Sequence, residues 1–180
     1  ISAAAALGEI GDLISLDDIT IVETGQNWGI NQMAVDHDFI NTYGMNIISG
    51  RDFSRDLQTD ISESFIINEA AASQFAWTPE TALGKVMNWD DSKIGPVIGV
   101  IEDFHLQSLH EQIPPLILHI IPQAFRSISI KLKTDDISGT MAYIEETMAR
   151  FDPAYPLRFS FIDDRFERAY RSEDQLGDTI

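Results

Sequence analysis

The chain has 180 residues, 44% of them hydrophobic, no cysteine, and a formal net charge of −17. That length and apolar content can bury one sizeable core or two small connected ones, so disorder is not the default. With 12 Lys and Arg against that charge, the composition argues against nucleic-acid binding and adsorption to an anionic leaflet, since both need clustered cations, and the missing thiol excludes disulfides, thiolate zinc sites and cysteine nucleophiles.

The opening ISAAAALGEIGDLISL carries Leu7, Ile10 and Leu13 or Ile14 at helical spacing among alanines, which predicts an amphipathic helix. DITIVET reads as a strand ending at Gly25 and GINQMAV as a second, with Gly25 to Gly29 between them of loop composition, so the two should pair antiparallel. DHDFINTYG offers Asp36 or Asp38 as N-cap of a short helix stopped by Gly44, and GRDFSRD is turn-like. In SFIINEAAASQFAW a β-rich run stops at Asn68, a natural N-cap, and an alanine-rich helix begins with Glu69 in its first turn. Pro79 bars continuation of that helix, Gly84 marks a turn, and PVIGVI is a short buried strand.

SISIKL alternates with period two, placing Ile128, Ile130 and Leu132 on one strand face and Ser127, Ser129 and Lys131 on the other. Ile137, Met141, Ile144, Met148 and Phe151 form one helical stripe ended by Asp152 and Pro153, and LRFSFID reads as a strand. Together these predict a split βαβ unit. From Asp164 onward Phe166, Tyr170 and Leu176 keep a roughly helical register that leads out of the domain. The expected organisation is an outer module of residues 1–49 plus 112–170 with a second α/β piece, 50–111, inserted; the prolines at 114 and 115 would enforce an extended return path.

The densest cluster of chemically capable residues is Asp103, His105, His110 and Glu111. Two imidazoles and a carboxylate could ligate zinc while a second carboxylate acts as base. Their spacing, however, is not that of a helical HExxH. The competing reading has Asp103 bonding to backbone amides of its own turn and the histidines serving as surface or packing residues. Asp36, His37 and Asp38 fit a capping region better than a triad. No GxSxG, SxxK or GxxxxGK[ST] occurs. Trp28, Trp77 and Trp89 are either partner contacts or lids on small cores, the second being favoured, and Met33, Met45, Met141 and Met148 read as core filler.

The runs VDHDFINTYGMNIISGRDFSRD, SFIINEAAASQFAW, ALGKVMNW, VIGVIEDFHLQSLHEQIPPLIL and PLRFSFIDDRFERAYRSEDQLG, in that order over residues 35 to 177, closely resemble the extracytoplasmic domain of MacB-like and FtsX-like ABC-transporter permeases of the variety common in Bacteroidetes-type bacteria. The resemblance implies an α+β fold: a porter-like split βαβ subdomain with an inserted smaller α/β subdomain. It also implies an entry strand after a first transmembrane helix, which the opening residues do not display. Gly50, Arg51 and Phe53 would open the insert, Asn68 and Glu69 start its helix, and Gly84 and Lys85 sit at the turn before its later strands. The stretch holding Gly99, Asp103, Phe104, His105 and Pro115 would close the insert and be structural.

No catalytic, metal or cofactor residue is implied. The helix over 164–180 would be a stalk to a membrane segment, with Phe166, Tyr170 and Leu176 coupling by packing. Implied partners are a cytoplasmic ATP-binding subunit or domain, a second permease copy and a periplasmic adaptor, at the periplasmic side of the inner membrane. The chain opens at Ile1 without methionine and closes in mid-helix, so a piece of a longer protein is expected. The rival readings are a secreted binding domain and a metal-dependent hydrolase using His105 and His110.

Overall fold

The computed structural model describes residues 2–6, 15–104, 112–153 and 157–161. Its elements in chain order are β1 (Ser2–Ala6), β2 (Ser15–Ile21), β3 (Gln26–Ala34), α1 (Phe39–Tyr43), β4 (Ile47–Gly50), α2 (Thr59–Glu63), β5 (Phe65–Asn68), α3 (Glu69–Gln74), α4 (Pro79–Ala82), β6 (Val86–Trp89), β7 (Lys93–Ile101), β8 (Leu116–His119), a 3₁₀ turn (Pro122–Ala124), β9 (Ser127–Lys131) and α5 (Ile137–Phe151). They fall into two compact units, one drawn from the described residues up to Lys131 and one from those beyond it.

In the first unit the hydrogen-bonded strand order β4-β7-β5-β8-β3-β2-β6 carries a further pairing of β6 with β7. Six strands therefore close a ring. The long strand β7 makes closure possible: its first half, Lys93 to Pro96, pairs with β6, while its second half pairs with β5 and β4. Residues buried from all six strands, among them Ile19, Ile30, Phe65, Ile67, Met87, Val97 and Ile117, form the interior, and Ala71, Ala72 and Phe75 from the α3 region close on it. A second cluster, with Met33, Phe39, Ile66, Ile101, Leu116 and Leu118, covers the outer face beneath α1. β5 and β8 are buried on both faces, so they read as continuous apolar runs and not as alternating ones.

Several expectations are met. β2 and β3 pair antiparallel, Asp38 takes the N-cap position of α1 although its side chain makes no capping bond, Gly44 ends that helix in the left-handed region at φ 71°, and Asn68 caps α3 by accepting from the Ala71 amide. Others are corrected. The opening residues Ser2–Ala6 are a strand, paired along their full length with β9 and supplying an entry strand; alanine's helix propensity is a weak preference that backbone pairing overrides. Residues 7–14 lie outside the described set. The hairpin turn is tighter than its composition suggested, since β3 already starts at Gln26. Pro79 does bar continuation of α3, which ends at Gln74, and it also begins a separate α4, with Thr78 and Thr81 in a reciprocal capping box, because proline costs nothing at a first helical position.

β5, β6 and β7, from residues 50–111, complete the same ring as β2, β3 and β8. In the second unit α5 forms as expected, capped by Asp136 through the Gly139 amide, but none of its residues is buried. Residues 157–161 make no strand, and Phe159 stacks edge-on with Phe161 at 5.6 Å. Among the described residues no helix is long and apolar enough to cross a membrane.

Candidate functional site

The residues singled out by the sequence converge on two junctions of the ring. At the first, Gly50 of β4 stands opposite Gly99 of β7. A Cβ on Gly50, at φ 77°, would lie 2.2 Å from the Ile98 carbonyl oxygen, and one on Gly99 would lie 2.4 Å from that of Arg51. Only glycine at both places lets the backbones approach this closely. The Arg51 amide then donates to the Ile98 carbonyl at 3.0 Å, and its guanidinium forks onto Asp60 at 2.6 and 2.8 Å.

Asp60 has no exposed surface and also accepts from the Ser54 amide and the Ser64 hydroxyl. Burial opposes its charge, yet the hydrogen bonds from Arg51, Ser54 and Ser64 and the guanidinium's charge outweigh that and hold its carboxyl below the usual range. Phe53 is buried in the outer cluster. Gly84, at φ 79°, donates to the Val97 carbonyl, and Lys85 pairs with Glu23 at 2.5 Å on the surface.

The second junction is the start of α3. Asn68, 1% exposed, accepts from the amides of Ala71 and Leu116 and donates to the Pro114 carbonyl at 3.0 Å. The Glu69 carboxylate accepts from the Asp103 amide at 3.1 Å, while Asp103 accepts from the Ala70 amide at 3.0 Å. The chain leaving β7 and the chain entering β8 are thus tied to one three-residue step. Asp103 bonds across to another segment, not within its own turn as the local reading had it. Phe104 packs on the outer cluster, and Pro115 receives the Asn31 amide group at 3.2 Å.

His105, His110, Glu111, Phe166, Tyr170 and Leu176 lie outside the described residues. Among the described residues no three His, Asp or Glu side chains are grouped to hold a metal ion. The tryptophans Trp28, Trp77 and Trp89 pack against the ring interior.

Sequence reasoning passed over Asp60, Lys93 and His119. Lys93 is 5% exposed, donates to the Ile61 carbonyl at 2.9 Å and lies 5.3 Å from the Phe65 ring centroid; burial draws its pKa down to about 8, with Asp60 opposing. His119 ends an unbroken apolar strand. Period two sets it on the interior face with Ile117, and that alternation was the available signal.

No protein-family model and no curated protein matches the sequence. Solved structures do. The periplasmic region of MacB from Actinobacillus actinomycetemcomitans aligns with a TM-score of 0.63 at 13% identity, covering 100% of this chain and 77% of that one. A domain of a putative permease protein from Porphyromonas gingivalis gives 0.58 at 15%, covering 83% and 63%. The extracellular domain of the noncanonic ABC-type transporter YknZ from Gram-positive bacteria gives 0.61 at 12%, covering 86% and 78%. The chain therefore has the α+β fold of MacB-like periplasmic domains.

Proposed function

We propose that this chain is the extracytoplasmic domain of an ABC-transporter permease and that it passes ATP-driven conformational change across the membrane without being catalytic itself. The observation that carries the reading is the likeness to three such domains, one of them over the whole chain. ATP would be hydrolysed by a cytoplasmic subunit or domain reached through membrane helices, with a second permease copy beside it and an adaptor or other protein on the periplasmic side of the inner membrane. Residues 164–180 are the stalk on this reading, and Phe166, Tyr170 and Leu176 couple by packing. The motif residues Gly50, Arg51, Asn68, Glu69, Gly99 and Asp103 have the part of a frame. Their bonds run between backbone segments and would let a displacement at one strand reach the next without loss in soft loops.

The test is to read the parent gene across both ends of the chain. Apolar stretches of ~20 residues shortly before Ile1 and shortly after Ile180 are the expected result. A cleavable signal sequence upstream and a stop codon soon after Ile180 would overturn it in favour of a secreted binding domain.

A further inference from the structure

His119 is 1% exposed, and neither of its ring nitrogens has a hydrogen-bond partner. Its imidazole lies 5.7 Å from the Phe65 ring at an interplanar angle of 24°, and 4.7 Å from Trp89 edge-on at 85°. The Phe65 ring that it stacks upon also receives the Lys93 ammonium. An apolar interior so holds one cation and, against the same Phe65 ring, a second base whose nitrogens have no hydrogen-bond partner.

The Lys93 ammonium is at the same time an anchor. It donates to the Ile61 carbonyl in α2, and α2 sits so close to β7 that a Cβ on Gly95 would stand 1.5 Å from the Glu63 carbonyl oxygen. The remaining side-chain ties run to Asp60, which holds the Arg51 fork and the Ser54 amide. Charged groups facing His119 are few among the described residues. β7 contributes Lys93, and α2 contributes Asp60 behind it, already paired with Arg51. β5 and β6 contribute the Phe65 and Trp89 rings, and β3 sets Ala34 opposite His119 with neutral Gln32 two residues back.

We infer that α2 is an acid-released strap: a proton taken up by His119 near the Lys93 ammonium drives that ammonium out of the interior, and residues 61–64 come away with it, hinged at Asp60, while the rest of the ring stays closed. Two cations in one apolar space repel strongly, and the lysine's flexible stem makes it the group able to leave. In the closed state burial, and after it the Lys93 charge, hold the His119 pKa down to about 3. Once α2 and the ammonium leave, that end of the interior admits water to His119, and a hydrated imidazole titrates near ~6.5. Between those values the opened state binds one proton more than the closed one, so the opened fraction rises about tenfold for each pH unit below ~6.5. Asp60, held below the usual carboxylate range, keeps its bond to Arg51 meanwhile, so the His119 step comes first.

The test is amide hydrogen exchange on the 180-residue chain between pH 7 and pH 5, corrected for intrinsic rates. Protection over residues 61–64 should fall about tenfold per pH unit below ~6.5 while Ile66 and Ile117 keep theirs, and His119→Phe, or His119→Gln should the first not fold, should abolish the slope. A slope that survives those variants, or a parallel loss of protection at Ile66 and Ile117, overturns the strap. So does an imidazole resonance of His119 that titrates near ~6.5 in the closed protein.

Discussion

β8 and β9 are both short strands carrying branched aliphatic residues, yet they meet opposite fates. In β8 all four residues are buried, because the strand lies between β5 and β3 within the ring and faces the interior on one side and α1's cluster on the other. In β9 the alternation is cleaner, but Ile128 is 61% exposed and Ile130 38%, whereas Ser127 and Ser129 are the half-buried side. The Ser129 hydroxyl bonds with the Tyr43 hydroxyl of α1, which fixes that face inward. Hydrophobic periodicity thus locates a strand without telling which face a neighbour covers. The largest consequence is a contrast of two identical replacements: Ile117→Ala should cost about 4 kcal/mol through lost burial and the cavity left behind, while Ile128→Ala should cost under about 0.5 kcal/mol. Urea unfolding measures both, and equal costs would mean that β9's isoleucine face is covered after all.

Two glycines sharpen the same lesson at the backbone. Gly25 and Gly50 have similar positive φ, 67° and 77°, but a Cβ at Gly25 meets nothing within 4 Å, whereas at Gly50 it meets the Ile98 carbonyl and Leu83. Gly25→Ala carries only the conformational penalty, about 1 kcal/mol. Gly50→Ala adds a backbone clash that the β4–β7 pairing cannot relieve, and about 3 kcal/mol is expected. Thermal unfolding of the two variants should separate them by several degrees; a Gly50→Ala protein as stable as Gly25→Ala would show that β4 is free to move off β7.

How far the sequence announced this arrangement follows from the range of the forces involved. Asn68 as a cap, Gly44 as a stop and the stripe of α5 depend on neighbours within one helical turn, and they are found where expected. The ring closure depends on β7 exchanging β6 for β4 and β5 midway along its length, which no local pattern records. The alanines of β1 failed for the same reason, their partner being more than a hundred residues away. At the junction, Asp103 was recognised as structural, but its partner, the Ala70 amide, belongs to another segment.

The last contrast separates two lysines. Lys131, at the end of β9, is exposed, while Lys93 lies inside the ring with its pKa lowered to about 8. Burial is the cause, only partly opposed by Asp60, so the folded state gives up the Lys93 proton more readily than the unfolded chain, whose lysines titrate near ~10.4. Between those pH values the unfolded state binds more protons, and stability contributed by this group therefore rises with pH, by at most about 1.4 kcal/mol per unit. Carboxylates such as Asp60 act with the opposite pH range, losing their contribution as the medium turns acid. Denaturant midpoints at pH 7 and pH 10 for the parent chain and for Lys93→Met isolate the term: the parent should gain relative to the variant on going to the higher pH, and Lys131→Met is the control. A Lys93→Met protein whose midpoints track the parent's would mean that the ammonium is hydrated, and the ring interior would then be open to water at its α2 end.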